Sequence, residues 1–212
     1  MIDNREKFFQ ALRELKKILP EEKFNKFTNG FKTINSNNNA LEEQDVHSNN
    51  SNPEKTSALP KKYNHSKFSF NYPTSWAVVQ ENSKATANTS IAVQVMEQNV
   101  GANEFAPNIN VIISKDKHSE STSQLARISF NQIKDSGLSC RPNGIKDVTI
   151  DNNKGSVVDY TINIEGYNLR ILQYHIKKND NTTFVITLTL DNNKFDNQRK
   201  IANQIIESFS LY

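Results

Sequence analysis

The sequence predicts an α+β domain in which helices pack on one face of an antiparallel β-sheet. From residue 67 onward, short segments alternate apolar and polar residues, which is the period of a strand with one buried face. Two segments with helical spacing interrupt these strands, one at 119–134 and one after Asp191. The turns between the later strands are short and rich in Asn, Asp and Gly, which favours antiparallel pairing of consecutive strands.

Ahead of this domain, residues 1–34 are predicted to form an amphipathic helical hairpin. Pro20 ends the first helix and suits the first turn of the second. Such a hairpin is too small to bury two apolar stripes by itself, so we expect it to bind another surface. A protein surface is favoured over a membrane surface, because acidic residues accompany the basic ones in the first helix. The apolar positions at helical spacing are Phe8, Leu12, Leu15 and Leu19, then Phe24, Phe27, Phe31 and Ile34.

Residues 35–66 are predicted to be a disordered linker. The segment is rich in Asn and Ser and contains almost nothing that a core could bury. Asparagine is common throughout, with about thirty in the chain, and we interpret this as a compositional bias. The linker should reach on the order of 30 Å and leave the hairpin free to dock in more than one place.

The predicted domain, 67–212, begins with a strand at 68–72. Phe68, Phe70 and Tyr72 alternate with polar residues, and Pro73 ends the strand because it cannot donate to a sheet ladder. Trp76, the only tryptophan, begins the next strand and is interpreted as a core anchor. Further strands are predicted at 91–96, 109–113, 148–150, 158–164, 169–176, 184–190 and 209–212.

Local signals support the two helices of this domain. Ser121 or Thr122 can cap the helix at 119–134, and Gly137 can supply the left-handed residue after it. Asp191 is placed to cap the last helix. The apolar side of the last helix is formed by Phe195, Ala202, Ile205 and Ile206.

Composition argues against several classes of function. The formal net charge of +3 is too small to indicate a nucleic-acid partner. With six glycines, the chain has no glycine-rich phosphate-binding loop. It has no apolar run of about 18 residues and no visible signal peptide. We therefore expect a cytoplasmic protein as the sequence stands, or an extracytoplasmic one if residues are missing before Met1.

No catalytic, cofactor-binding or metal-binding residue is assigned from the sequence. Cys140 is the only cysteine, and we interpret it as structural because no histidine near it in sequence could activate it. The four histidines, at positions 47, 65, 118 and 175, lack metal-ligand spacing. Four aromatic residues could line a ligand pocket, although packing is the commoner role for them: Trp76, Tyr160, Tyr167 and Tyr174.

The order of these elements resembles the PsbP-like superfamily, which is named after an accessory protein of photosystem II. The resemblance covers residues 67–212. It rests on F-x-F-x-Y-P-x-x-W at 68–76, a helix after the early strands, a long meander, and a terminal helix that runs into Ile205-Ile206-Glu207-Ser208-Phe209. It implies a PsbP-like α/β sandwich and a non-enzymatic accessory or binding role, often outside the cytoplasm. It implies no catalytic residue.

We therefore expect a non-enzymatic protein that mediates protein–protein interaction, with contacts from the N-terminal helices or from sheet edges. Neither a cofactor nor a nucleic-acid partner is expected. The alternative is a carrier of a small molecule or lipid, with the ligand between the helices and the sheet. A hydrolase is the third hypothesis, and it requires a pocket that joins a nucleophile to a histidine.

Overall fold

The computed structural model describes residues 59–84, 89–101, 104–115, 120–135, 137–164, 166–179 and 182–212. The predicted hairpin, 1–34, and most of the predicted linker lie outside these residues. The strands are β1 (Lys61–His65), β2 (Phe68–Tyr72), β3 (Trp76–Lys84), β4 (Thr89–Glu97), β5 (Asn108–Ser114), β6 (Cys140–Ile150), β7 (Asn153–Ile164), β8 (Tyr167–Asn179), β9 (Thr182–Asp191) and β10 (Ser210–Leu211). The helices are α1 (Thr122–Asp135), a 3₁₀ helix (Asn192–Lys194) and α2 (Phe195–Glu207). None of these helices is long and apolar enough to cross a membrane.

The strands form two sheets, and every pairing is antiparallel. The larger sheet has seven strands in the order β3-β4-β5-β9-β8-β7-β6. The smaller sheet has three strands in the order β1-β2-β10. The prediction of an α+β domain with an antiparallel sheet is therefore confirmed.

The two faces of the larger sheet are covered by different elements. We call the side of Leu172 and Tyr174 face A, and the side of Leu169 and Ile171 face B, since side chains alternate along β8. Face A packs against the three-stranded sheet and α2 in one core cluster, and Phe68 meets Phe184 there with ring centroids 6.1 Å apart. Face B packs against α1 in a second cluster.

The prediction that the helices share one face of the sheet is therefore wrong. The physical reason lies in β8, which has apolar side chains on both faces, and in β7, whose apolar side lies on face B. Val158, Tyr160 and Ile162 of β7 bury their side chains on face B beside Ala126 of α1. Face A is covered mainly by the aromatic residues of the smaller sheet. The sequence pattern did not distinguish the strands of the smaller sheet from those of the larger sheet.

The smaller sheet extends into the predicted linker. Lys61–His65 form β1, although these residues were assigned to the segment 35–66. Tyr63 is the buried residue of this strand, and its ring contacts Phe68 and Phe70 at centroid distances of 5.8 and 5.7 Å. A single large apolar side chain in five residues produces no visible period, so the strand escaped prediction.

An ion pair connects the larger sheet to the start of α2. The Arg170 guanidinium donates from Nε to Asp159 Oδ1 at 2.6 Å and from Nη2 to Asp159 Oδ2 at 2.7 Å. The Asn143 amide also donates to Asp159 Oδ1 at 3.2 Å. The guanidinium lies 4.6 Å from the centre of the Phe195 ring, so it holds the first residue of α2 over the sheet.

Candidate functional site

The four aromatic residues considered as pocket-lining do not meet. Trp76 is 3% exposed and belongs to the face A core together with Tyr174, which confirms the prediction of a core anchor. Tyr160 lies in the face B core, where burial raises its pKa to about 12. Tyr167 is exposed and contacts Phe105. The four side chains therefore line no common pocket.

Register brings Asp147, Ser156 and His175 together in one row on face B. Ser156 is fully buried, and its hydroxyl donates to Asp147 Oδ1 at 3.1 Å and lies 2.9 Å from the Thr122 hydroxyl. Hydrolytic triads place the histidine between the serine and the carboxylate, whereas here the serine lies between the other two. This network fastens the start of α1 to the sheet and has no hydrolase geometry.

The remaining candidate residues are dispersed. His65 stacks on Phe68 at 4.8 Å, and burial lowers the pKa of its imidazole. Cys140 is half-buried in β6 against the face B core. In the part of the chain that the structure describes, no three His, Cys, Asp or Glu side chains are grouped as a metal site would require. The histidines at 47 and 118 lie outside the described residues.

Face B is covered by α1 only above β6, β7 and β8. On the other four strands, Asn108, Ser114 and Thr183 are buried on this side, and further side chains that point to it are half-buried; none of these belongs to either core cluster. Among the described helices and strands, none covers them. We call this region the open half, and its residues are Gln80, Ile91, Gln94, Met96, Asn110, Ile112, Val185, Thr187 and Thr189.

A row of uncharged polar side chains crosses the middle of this region. Cross-strand register places them next to one another in the order Gln80, Gln94, Asn110, Thr187 and Gln173. We call them the amide row. Adjacent strands are about 4.8 Å apart, so the row is about 19 Å long. The Gln173 amide donates to the Thr187 hydroxyl at 3.3 Å, which orders one end of the row.

One acceptor in the amide row is unsatisfied. The side-chain oxygen of Asn110, Oδ1, is buried and has no hydrogen-bond partner among the described residues. Leaving a buried acceptor without a donor costs about 1–3 kcal/mol. A water molecule or a donor from a binding partner would remove that cost, so the amide row is suited to hydrogen bonding with an uncharged polar surface.

A second feature lies on face A, between α2 and the larger sheet. This cleft has apolar walls from Trp76, Pro107, Leu190, Ile201 and Ala202, and Glu97 and Gln198 contribute its polar atoms. Its cavity volume is about 20 Å³, which is room for about one water molecule.

Charges of both signs surround the cleft, and on one side the Lys61 ammonium donates to the Trp76 carbonyl at 2.9 Å. Burial raises the pKa of the Glu97 carboxyl; the charge of Lys194 opposes this shift and that of Glu104 adds to it. Lys194 forms its ion pair with Glu104, with Nζ 2.6 Å from Oε1. The charge of Asp191 also acts on Lys194, and the backbone N–H of Asp191 donates to Gln198 Oε1 at 2.9 Å. Glu97 is thus the carboxylate nearest the apolar walls.

Sequence reasoning missed both the open half and the cleft. The amide row is assembled from five strands, and the cleft from strands, a loop and a helix that are far apart in sequence. The only local signal was the alternation of polar residues such as Gln94 and Asn110 with apolar ones.

Solved structures with the same architecture were found. Cyanobacterial PsbP (CyanoP) from Synechocystis sp. PCC 6803 matches with a TM-score of 0.56 and 14% identity, over 76% of this chain and 98% of that one. LpqN, described as involved in cell envelope biogenesis of Mycobacterium tuberculosis, matches with a TM-score of 0.52 and 15% identity, over 71% and 90%. At such identities the likeness establishes the fold.

No curated protein matches this chain by sequence. A sequence model of one protein family, described as PsbP-like protein, matches residues 28–211. The match begins well before β1 and continues through β10, so it takes in every helix and strand described above. The architecture and the extent of this match agree, and the chain belongs to the PsbP-like protein family.

Proposed function

We propose that this protein is a non-enzymatic binding protein that holds a protein partner on the open half of face B. The amide row carries this proposal. It presents donors and acceptors without charge, and it contains a buried acceptor, Asn110 Oδ1, that a partner could satisfy. Membership of the PsbP-like family supports an accessory or binding role.

The size of the open half indicates the kind of complex. It measures about 20 Å in each direction, or about 400 Å², from strand spacing and rise. Stable interfaces bury about 800 Å² on each partner. We therefore infer either a transient complex or a partner that also contacts another surface, for which the predicted hairpin at 1–34 is a candidate.

The partner is placed on the face of the larger sheet because both edges of that sheet are protected. The edge strand β6 contains Pro142, which has no N–H to donate, and an irregularity in register between Pro142 and Gly144. Its exposed residues include Arg141 and Lys146. The other edge strand, β3, also changes register, between Val78 and Gln80. Irregular and charged edges discourage the addition of a further strand.

The alternative of a small-molecule or lipid carrier has no comparable support. It requires a ligand between the helices and the sheet, where the cleft beside Trp76 has a volume of about 20 Å³. Sites for small molecules measure about 300–1,000 Å³.

The experiment uses the full chain with a photo-activatable residue in place of Gln94, in the cells that naturally make the protein. We expect a discrete cross-linked product with a second protein. Thr187→Arg in the same chain should abolish it, because a guanidinium would be buried in the middle of the amide row without a partner.

The matched control is Thr149→Arg, which changes an exposed threonine of β6 outside the open half. It should leave the cross-linked product intact. A product that survives Thr187→Arg, or one that Thr149→Arg removes equally, contradicts the placement on the open half.

A further inference from the structure

An Asn-Gly pair interrupts the edge strand β6, away from both the open half and the cleft. Asn143 is the extra residue of a bulge, because Pro142 pairs with Tyr160 and Gly144 pairs with the neighbouring residue of β7, Asp159. Among the described strands, none lies beyond β6 in the larger sheet. The Asn143 side chain is exposed. The pair is therefore open to solvent at a place where the sheet is irregular.

An asparagine that precedes a glycine has an intrinsic route to covalent change. The backbone nitrogen of the glycine attacks the side-chain carbonyl carbon of the asparagine, a succinimide ring forms, and the side-chain nitrogen leaves as ammonia. Water then opens the ring at either carbonyl, which leaves aspartate or, with the main chain rerouted through the side chain, isoaspartate. Glycine favours the attack because it has no side chain beside its nitrogen. The net reaction consumes water and releases ammonia.

The structure leaves room for this reaction at Asn143. A methyl group on Gly144 would meet no atom within 4 Å apart from those of adjacent residues, so the space beside this backbone is open. Gly144 has a φ of +141°, which L side chains rarely adopt, so the bulge favours a glycine here. Among the described residues, Asn143 is the asparagine that precedes a glycine. The fold thus retains the reactive pair and the access of water to it.

The product carries a new charge beside an existing ion pair. The Asn143 amide donates to Asp159 Oδ1 at 3.2 Å, and the same oxygen accepts from Arg170 Nε at 2.6 Å. A carboxylate at position 143 replaces this donor with a like charge, so two carboxylates compete for a single guanidinium. That guanidinium also lies 4.6 Å from the centre of the Phe195 ring, at the start of α2. A change at the edge of β6 therefore acts on the attachment of α2.

We propose that Asn143 is a site of spontaneous deamidation, and that its conversion to a carboxylate loosens α2 from the larger sheet. The reaction requires neither an enzyme nor a cofactor, so the fraction of modified chains records the age of the protein. The site is independent of the proposed partner, because the open half lies on β3, β4, β5 and β9, whereas β6 is the opposite edge of the sheet.

The first test follows the reaction in the full-length native protein. The protein is incubated at neutral pH in water enriched in heavy oxygen, and timed samples are analysed by peptide mass spectrometry. We expect first-order conversion of Asn143 with uptake of heavy oxygen, and labelling of part of the product by a protein-isoaspartate methyltransferase. Asn143→Gln should remove the product, because glutamine closes its larger ring much more slowly.

Two asparagines in the same samples serve as references. Asn163 is an exposed strand residue followed by the branched Ile164, and it should stay unmodified over the same period. Asn29-Gly30 is a second Asn-Gly pair, outside the described residues, and it reports the chemistry itself. Conversion at Asn29 without conversion at Asn143 would overturn the proposal. Conversion of Asn143 only after urea has unfolded the chain, or at the same rate as Asn163, would overturn it equally.

The second test concerns the consequence for α2. Asn143→Asp supplies the charged product directly, and we expect it to lower the thermal unfolding midpoint by about 2–4 °C. Amide hydrogen exchange in α2 should become faster. Asn143→Ser loses the amide without adding a charge, so it should have a smaller effect on both measurements.

The same substitution should behave differently when Asp159 is neutral. In an Asp159→Asn background, Asn143→Asp should leave the midpoint unchanged or raise it, because the new carboxylate becomes the partner of Arg170. An equal loss in both backgrounds would show that the carboxylate does not act through this ion pair. If the double variant fails to fold, unchanged hydrogen exchange in α2 of the Asn143→Asp protein contradicts the loosening by itself.

Discussion

Asn108 and Asn110 lie two residues apart on β5 and point to the same side of the sheet, yet their environments differ. The Asn108 amide donates to the Ala106 carbonyl at 3.3 Å. Asn110 instead has a buried oxygen without a partner among the described residues. The two positions allow a matched test of what a buried amide contributes.

We expect Asn110→Val to leave the free energy of unfolding unchanged or to raise it, since it removes an unsatisfied acceptor from a strand that favours valine. Asn108→Val should lower it by about 1 kcal/mol because a made hydrogen bond is lost. Urea denaturation measures both. Equal losses in the free energy of unfolding for the two variants would contradict the view that the Asn110 amide serves binding and not stability.

A carboxylate held beside apolar walls should also reduce stability at neutral pH. Burial raises the folded-state pKa of Glu97 above its usual value of 4.5. The folded state then binds the proton more tightly than the unfolded state, and this tighter binding stabilises the fold. The stabilisation is fully present below pH 4.5, and it is lost as the pH rises through the folded-state pKa.

Glu97→Gln should therefore raise stability at pH 7 relative to the unaltered protein, and this advantage should shrink as the pH falls to 4 and below. The measurement is the difference in free energy of unfolding at the two pH values. A difference that does not depend on pH would show that the Glu97 carboxyl titrates normally.

Neither the open half nor the cleft beside Trp76 could be predicted from residue identities alone. Gln94, Asn110 and Thr187 become neighbours only through the register of β4, β5 and β9, and β9 follows β5 after a helix and three strands. A slip of one residue in any pair would turn these side chains to the other face. The alternation of polar residues was visible in the sequence, but the alignment between strands was not.

At the scale of helices and strands, the features that depend only on neighbouring residues in sequence were predictable. The Ser121 hydroxyl accepts from the Gln124 N–H at 3.3 Å, and the Gln124 side chain accepts from the Ser121 N–H at 2.7 Å, which is a capping box at the start of α1. Gly137 has a φ of +81°, as the helix end requires. The face on which each helix packs depends on distant strands, and that prediction failed.

The attachment of α2 depends on Arg170. We expect Arg170→Ala to lower the free energy of unfolding by about 1–3 kcal/mol, because it leaves the partly buried Asp159 carboxylate without its cation and Phe195 without its cover. A double-mutant cycle with Asp159→Asn should show coupling of about 1 kcal/mol.

Chemical denaturation measures this cycle, and the exposed pair of Glu104 and Lys194 is the comparison. Lys194→Ala should produce no measurable loss, since exposed ion pairs contribute little. Additive effects of Arg170→Ala and Asp159→Asn would mean that the bidentate contact does not fasten α2.

For the whole molecule, the predicted linker separates the predicted hairpin at 1–34 from the domain, which has two core clusters of its own. We therefore expect deletion of residues 1–34 to leave the thermal unfolding midpoint unchanged. If the predicted hairpin takes part in binding, the same deletion should reduce the cross-linking by the photo-activatable residue that replaces Gln94. A lower midpoint would show that residues 1–34 pack on the domain and would contradict this expectation.

The three-stranded sheet has a consequence for how the chain is made. Its strand β2 pairs with β10, and the Phe70 ring stacks on Phe209 with centroids 4.8 Å apart. At about 5–20 residues per second, the ribosome adds Phe209 about 7 to 28 seconds after Phe70. Until Phe209 emerges from the ribosome, the Phe70 ring lacks this contact, and chaperones or non-native contacts would have to shield it. Closure of this part of the core therefore requires residues that are synthesised long after β2.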